Sequence, residues 1–179
     1  YYVRSENAEK DYIINESKLS KIISAVALKN KDDLLENNIT FEVSNADKIV
    51  LTDAKWMEFM LNQIVNNSIK YKDKTKAEYI KISAAEDKKC IVLEILDNGI
   101  GINASDLPRV FDKSFTGENG HEYSKATGMG LYIVKKLCDK LGSKVSIESV
   151  KGEYTRVKIT FYKNDFYKEI TESNESGSM

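Results

Sequence analysis

Three short segments of the chain hold side chains and glycines that could bind a phosphorylated ligand. Segment 62–71 is rich in asparagine and ends in Lys70 and Tyr71, segment 97–102 reads Asp-Asn-Gly-Ile-Gly-Ile, and segment 127–131 reads Thr-Gly-Met-Gly-Leu. Carboxylate and amide oxygens accept hydrogen bonds or bind hard cations, and glycines ahead of a helix leave backbone N–H groups open to an anion. Taken singly, each pattern also occurs in ordinary helix faces and turns. The sequence contains no Gly-x-x-x-x-Gly-Lys-Ser/Thr loop, so a Walker-type phosphate site is excluded.

The first segment lies at the end of a long amphipathic helix. After a Thr52-Asp53 cap, apolar residues at helical spacing predict a helix over 53–70. Gln63, Asn67 and Lys70 lie together on one side of this helix, and the opposite arc consists of Met57, Met60, Leu61, Ile64, Val65, Ser68 and Ile69. The apolar arc is expected to face a core, which leaves the amide and ammonium groups for a ligand.

The other two segments lie at the junctions of predicted strands and helices. The predicted elements, in chain order, are helices over 17–30 and 31–37, strands over 39–43 and 49–51, the helix over 53–70, strands over 78–86 and 90–97, a helical turn near 103–107, a helix from Gly128 to about Leu141, and strands over 144–150 and 154–162. They predict an α/β (α+β) two-layer sandwich, in which helices cover one face of a mixed β-sheet. Residues 98–127 form a long glycine-rich loop region, and such loops are usually functional.

Composition limits the classes of function. The 179 residues are 41% apolar and 31% charged, and they carry a net charge of −1. This mix predicts a soluble globular domain and argues against nucleic-acid binding through bulk charge. One histidine and two cysteines are too few for a Cys/His structural zinc site or a disulfide framework.

The ends of the chain differ from its middle. Residues 1–16 are polar and are expected to be a linker or the end of an upstream helix, and residues 163–179 are expected to be a disordered tail. The sequence has no run of 18 apolar residues and starts at Tyr1 rather than at a methionine. We therefore expect a fragment of a longer protein, with its folded domain over 17–162.

The order and spacing of the three ligand-binding segments resemble the N, G1 and G2 boxes of the GHKL ATP-binding fold. The resemblance is closest to bacterial sensor histidine kinases, and segment 109–115, Arg-Val-Phe-Asp-Lys-Ser-Phe, is similar to the F box of that family. It covers about residues 17–162. Segments 111–117 and 128–142 are most similar to the bacitracin-sensor type of low-GC Gram-positive bacteria. Those proteins are small membrane kinases that work with peptide-exporting transporters.

The resemblance implies ATP and Mg²⁺ as ligands and assigns roles at the base. Asp97 would accept a hydrogen bond from the exocyclic amine of adenine. Gly99 and Gly101 would let the backbone pass close to the base without a Cβ clash. Tyr71 would cover the purine ring or the ribose.

The resemblance also assigns roles at the phosphates. Asn67 would supply an oxygen ligand to magnesium, and Lys70 would contact phosphate oxygens. Gly128 and Gly130, with the helix N-terminus that follows, would bind phosphate through backbone amides. The implied nucleotide-binding set further includes Ile102, Arg109, Phe111, Phe115, Thr127, Met129 and Leu131.

Residues 112–127 are similar to the ATP lid of the family. Their small polar side chains indicate a flexible segment. Arg109 and Lys113 are candidates to neutralise the transferring phosphate. Phe111 and Phe115 are expected to fasten the lid to the body of the domain.

Gln63 departs from the family pattern and bears on the reaction. Most of the kinases have asparagine there, and the ATP-hydrolysing relatives have glutamate, which can deprotonate water. Gln63 can only form hydrogen bonds or orient a group, so phosphoryl transfer is favoured over hydrolysis. The predicted catalytic set is Gln63, Asn67, Lys70 and Lys113.

Three alternative functions remain open at this point. They are a stand-alone GHKL ATPase, a serine kinase of the anti-sigma-factor type, and a degenerate module that binds a partner and no nucleotide. The glutamine at position 63 argues against the first, an upstream helix pair would exclude the second, and the intact glycine boxes argue against the third.

The resemblance finally implies partners outside this chain. They are the protein's own dimerisation and phosphoacceptor helices, in a homodimer, a cognate response regulator, and a peptide-exporting transporter. The domain would lie on the cytoplasmic side of a membrane. His121 falls in the lid rather than in a dimerisation helix, so it is not expected to be the phosphoacceptor.

Overall fold

Four helices and seven strands make up the described part of the computed structural model, which covers residues 12–117 and 127–163. The helices are α1 (Leu19–Lys29), α2 (Lys31–Glu36), α3 (Ala54–Lys70) and α4 (Gly130–Lys140). The strands are β1 (Asn15–Lys18), β2 (Thr40–Ser44), β3 (Ile49–Thr52), β4 (Tyr79–Glu86), β5 (Cys90–Asp97), β6 (Ser143–Val150) and β7 (Tyr154–Tyr162).

Five of the strands form one mixed sheet in the order β2-β4-β5-β7-β6. Strands β2 and β4 are parallel, and the other neighbours are antiparallel. Alternate residues of the central strands, such as Leu93 and Ile95, are buried, as expected for a sheet with one covered face. The other face carries charged pairs such as Arg156 with Glu148. The predicted two-layer sandwich with helices on one face is confirmed.

Helix α3 is the central element of the helical layer. Helices α1 and α4 both pack against it. Its fully buried side chains include Met57, Met60, Leu61 and Val65, which belong to the same core as the inward side chains of the sheet. The apolar arc predicted from the sequence is therefore the face that α3 turns to the core, and its polar side is left for the ligand.

Asp53 caps the start of α3 and also binds the segment that precedes β1. One carboxylate oxygen accepts the N–H groups of Lys55 and Trp56, at 3.0 and 3.2 Å, which satisfies two of the free donors in the first turn. The other oxygen accepts the N–H of Ile13 at 2.8 Å. The predicted cap is confirmed, and the same side chain also holds the segment that leads into β1.

The main departure from the predicted elements lies at the entry segment. The helix expected from residue 17 begins at Leu19, because residues 15–18 form a strand that pairs antiparallel with β3. This pairing forms a second, two-stranded sheet. The partner strand lies more than 30 residues away in sequence, so helical periodicity could not reveal it.

Smaller differences concern the ends of elements around the loop region. The helix expected from Gly128 begins at Gly130, and the turn expected near 103–107 is a short 3-10 helix at Leu107–Arg109. The hairpin through residues 151–153 forms as predicted. None of the helices within the described ranges is long and apolar enough to cross a membrane.

We predict that Asp53→Ala lowers the free energy of unfolding by about 2 kcal/mol, because it removes a helix cap and leaves partly buried N–H groups without an acceptor. The measurement is the urea midpoint at unchanged m-value. Asp32→Ala is the matched control, because Asp32 is an exposed acidic residue in the first turn of α2. Equal midpoints for the two variants would contradict the role assigned to Asp53.

Candidate nucleotide-binding site

A cavity of about 270 Å³ opens between α3, the turn after β5 and the start of α4. Its walls bring together residues from segments that lie far apart in the chain. Twelve of the residues predicted to bind the ligand or take part in catalysis line it: Gln63, Asn67, Lys70, Tyr71, Asp97, Gly101, Ile102, Phe115, Thr127, Gly128, Gly130 and Leu131. The three motifs, weak when taken singly, therefore form one site.

Asp97 is the buried carboxylate of this cavity. It ends β5 and is 7% exposed. One oxygen accepts the hydroxyl of Ser68 at 2.6 Å, and the other accepts the N–H of Gly99 at 3.0 Å. Burial raises the pKa of Asp97, while the hydrogen bonds from Ser68, Gly99 and Thr155 act in the opposite direction. A carboxylate held in this way can accept one further donor from a ligand in the cavity.

A second buried carboxylate lies beside Asp97. Glu78 immediately precedes β4 and accepts the backbone N–H of Asp73. Burial and the charge of Asp97 raise the pKa of Glu78, while Lys76 acts in the opposite direction. The segment between α3 and β4 therefore places a second buried carboxylate near Asp97, with Lys76 as its cationic neighbour.

The polar side of α3 faces the start of α4. The Oε1 atom of Gln63 lies 3.2 Å from the position that a Cβ would take on Gly130, and Nδ2 of Asn67 lies 4.0 Å from it. The ammonium of Lys70 lies 5.2 Å from the ring centre of Tyr71, and burial lowers the pKa of Lys70. Two amides and one ammonium therefore lie on the wall of the cavity that meets a helix N-terminus.

The N-terminus of α4 has the features of an anion site. The first backbone N–H groups of a helix have no intrahelical acceptor, and among the described residues no side chain at the N-cap position, Met129, accepts a hydrogen bond from them. Gly128 and Gly130 line the cavity at this point. Gly128 has φ +64°, and a Cβ there would lie 2.4 Å from the carbonyl carbon of Ser114. This close contact with Ser114 permits only glycine at position 128, so no side chain there covers the N-terminus of the helix.

Gly99 and Gly101 serve backbone packing beneath the cavity. A Cβ on Gly99 would lie 2.5 Å from the carbonyl oxygen of Tyr71, and one on Gly101, where φ is +65°, would lie 2.1 Å from that of Val150. Gly101 lines the cavity, and Gly99 does not. The sequence suggested close approach to a base. The structure shows that both glycines contact neighbouring backbone, and their approach to a base stays a prediction.

Five predicted residues lie outside the cavity wall: Gly99, Arg109, Phe111, Lys113 and Met129. The guanidinium of Arg109 lies 4.5 Å from the ring centre of Phe115 and pairs with Asp112 at 3.5 Å. Phe111 and Met129 pack against the core instead. For Phe111 this agrees with the expectation that it fastens the lid to the body of the domain. The phosphate-neutralising roles of Arg109 and Lys113 stay predictions, since neither side chain lines the cavity.

Part of the predicted lid lies outside the described residues. Residues 118–126, which include His121, belong to this part. The described ends of the lid contribute Thr116, Gly117 and Thr127 to the cavity wall. A Cβ on Gly117, where φ is +60°, would lie 2.6 Å from a carboxylate oxygen of Asp106.

Sequence reasoning missed several cavity residues. They are Ile64, Ser68, Asp106, Val110, Ile147, Thr155 and Val157, with Thr116 and Gly117 named only as part of the lid. Ser68 carried a signal, because a hydroxyl inside an otherwise apolar arc needs a buried partner. Thr155 carried none, because only the pairing of β7 with β5 places it opposite Asp97.

The donor set of the site fits a hard cation held together with phosphate. Within the described ranges no three His, Cys, Asp or Glu side chains cluster as metal ligands. The side-chain amides of Gln63 and Asn67 line the cavity instead, and the atom of Gln63 nearest to Gly130 is its oxygen Oε1. Magnesium commonly keeps several waters and binds few protein oxygens beside substrate phosphates, so these amides suit it.

The comparisons with known proteins agree with this geometry. Residues 52–165 match the family described as histidine kinase-, DNA gyrase B-, and HSP90-like ATPase. The sensor histidine kinase YxdK of Bacillus subtilis is 35% identical over 162 residues, which is 90% of this chain and 50% of YxdK. The sensor protein BceS of Halalkalibacterium halodurans is 32% identical over 90% of this chain and 48% of BceS. The chain spans about half the length of the curated relatives it matches.

A solved structure gives the same fold. The catalytic domain of the histidine kinase ThkA matches with a TM-score of 0.71 and 23% identity, over 84% of this chain and 98% of that one. The predicted resemblance to sensor histidine kinases of the bacitracin-sensor type is thereby confirmed.

We predict that Gly101→Ala destabilises the domain by about 1–3 kcal/mol more than Gly152→Ala does, because only the first alanine is forced against backbone. Both glycines have positive φ, and a Cβ on Gly152 meets nothing within 4 Å, so the second variant measures the conformational cost alone. Denaturant titration of both variants measures the difference. Equal losses would mean that the contact with Val150 relaxes freely.

Proposed function

Because the chain belongs to the histidine kinase-, DNA gyrase B- and HSP90-like ATPase family, we propose that it binds Mg-ATP as the catalytic domain of a two-component sensor kinase. The γ-phosphoryl group would pass to a histidine on dimerisation helices outside this chain. An aspartate of a response regulator would receive it next.

One observation carries the proposal: a single cavity joins a buried carboxylate to the N-terminus of α4. Asp97 offers an acceptor of the kind that the exocyclic amine of adenine requires. The amides at the start of α4, with Lys70, offer donors of the kind that phosphate requires. An adenine nucleotide satisfies both groups at once.

Magnesium would be held by Asn67, with Gln63 beside it, and would neutralise charge on the phosphates. Other residues of the chain would contact the phosphates, the base and the ribose. Lys70 attracts phosphate oxygens, and Gly128 and Gly130 keep backbone N–H groups accessible. Ile102, Tyr71 and Leu131 offer apolar or aromatic surface to the base and the ribose. Each of these roles is a proposal for the residue as the structure positions it.

Gln63 favours transfer over hydrolysis. Its Oε1 atom lies close to Gly130, where the phosphate end of the ligand would lie. An amide has no basic oxygen that could take a proton from water, whereas a carboxylate does. A hydrolysing GHKL ATPase is therefore the second candidate, and an anti-sigma-type serine kinase the third. The names of the relatives, which are sensor kinases, favour the histidine kinase.

The relatives are longer than the region that they share with this chain. They are about twice as long as the matched region, so each has room for further domains. We propose that the parent protein supplies dimerisation helices, forms a homodimer and acts on a cognate response regulator. A peptide-exporting transporter and a position on the cytoplasmic side of a membrane belong to the same proposal.

We predict that Asp97→Asn weakens ATP binding by roughly 1.5–3 kcal/mol, the range for a hydrogen bond to a charged group. GTP, which lacks the exocyclic amine of adenine, should bind the wild type poorly. Calorimetry with both nucleotides makes the measurement. Asp139→Asn is the control, because Asp139 lies on the exposed side of α4. Equal affinities of the wild type for ATP and GTP would refute the role of Asp97.

We predict that this chain binds Mg-ATP, hydrolyses little of it and does not become labelled by ATP that carries a labelled γ-phosphate. Addition of the dimerisation helices of the same protein should produce acid-labile label on their histidine. His121→Ala should leave that transfer intact, since no role is assigned to His121.

Two results would overturn this assignment. Acid-labile label on His121 of the chain alone would make the lid histidine an acceptor. Steady ATP turnover that Gln63→Ala abolishes would identify a hydrolysing ATPase in which Gln63 orients water.

A further inference from the structure

Ser68 lies in the last turn of α3, where its hydroxyl meets the carboxylate of Asp97. Its side chain is buried, at 5% exposure. The hydroxyl lies 2.6 Å from Oδ2 of Asp97 and 3.3 Å from the carbonyl oxygen of Ile64. A hydroxyl has one proton to donate, and the shorter contact falls in the range of charge-assisted hydrogen bonds. The proton is therefore directed to the carboxylate.

We propose that Ser68 is the positioning residue for adenine recognition by Asp97, an inference that rests on the proposed nucleotide-binding function. Ser68 binds one carboxylate oxygen from α3, and the N–H of Gly99 binds the other from the turn after β5. With both oxygens held, the carboxylate cannot rotate about its own axis. Its remaining lone pairs keep a fixed direction for a ligand in the cavity.

The surroundings of Asp97 give Ser68 a second effect. Burial works against the ionised form of Asp97. The charge of Asp97 in turn raises the pKa of Glu78, the buried carboxylate that immediately precedes β4. The charge of Lys76, in the loop after α3, lowers the pKa of both Asp97 and Glu78. Ser68 supplies the only side-chain hydrogen bond among the interactions that lower the pKa of Asp97 in the described residues. Its removal would therefore let the carboxylate take up a proton at a higher pH.

The shift in protonation would be visible in ligand binding. An adenine amine donates a hydrogen bond, and a protonated carboxyl group is a weaker acceptor with one oxygen turned into a donor. ATP affinity should therefore fall as the pH falls through the pKa of Asp97. The fall should begin at a higher pH when the hydroxyl of Ser68 is missing.

The test is calorimetry of Mg-ATP binding to Ser68→Ala at neutral and at mildly acidic pH. We expect affinity about tenfold below wild type at neutral pH, with a larger ratio in acid. Ser143→Ala is the matched control, because it removes a buried hydroxyl that donates to the carbonyl of Cys138, away from the cavity. It should bind ATP as the wild type does at both pH values.

Two further measurements separate a positioning role from loss of packing. Ser68→Thr and Ser68→Val have nearly the same shape and differ in the hydroxyl, so the threonine variant should keep the wild-type pH profile and the valine variant should not. In an Asp97→Asn background, Ser68→Ala should cause little further loss, because Ser68 acts through the carboxylate.

Wild-type affinity and an unchanged pH profile in Ser68→Ala would overturn the inference. The same loss in the Asp97→Asn background would overturn it as well, because Ser68 would then act independently of Asp97. A folded wild-type chain that binds no ATP would refute the proposed function itself, and this inference with it.

Discussion

The carboxylate of Asp97 has to stay hydrogen-bonded in a place that water scarcely reaches, and the layout of the domain follows from that requirement. A buried carboxylate needs donors from the protein, since burial removes those of the solvent. They come from three separate elements: Ser68 on α3, Gly99 in the turn after β5, and Thr155 at the start of β7. The helical layer and the sheet therefore have to meet at this one point.

Backbone contacts keep those elements at the required distance. The N–H of Ile100 donates to the carbonyl of Tyr71 at the end of α3, and the N–H of Gly152 donates to the carbonyl of Ile100. The ammonium of Lys76 also reaches the carbonyl of Gly152. Helix, turn and hairpin are thus linked through one short stretch of backbone. Gly99 permits the close approach to Tyr71 and Gly101 the approach to Val150, and a side chain at either position would push these backbones apart.

The opposite wall of the cavity consists mainly of polar and charged groups. The start of α4 presents backbone N–H groups, and α3 faces it with an amide from Gln63 and an ammonium from Lys70. Position 63 in this wall is a glutamine, whose amide cannot take a proton from water as a carboxylate could. A site of this composition can hold phosphate and a hard cation.

The sequence by itself determined the features that depend on neighbours along the chain. The apolar arc of α3, the cap at Asp53, the glycine motifs and the glutamine at position 63 are all local. Together with the resemblance to the GHKL fold that the motifs carry, they predicted the sandwich and twelve of the residues that line the cavity. Only the tertiary structure showed that residues 15–18 form a strand. It also showed that Ser68 turns toward Asp97 and that Thr155 lies opposite it. These features depend on pairing between residues far apart in sequence, and strand register and helix rotation are set by the packing of the whole domain rather than by local preference.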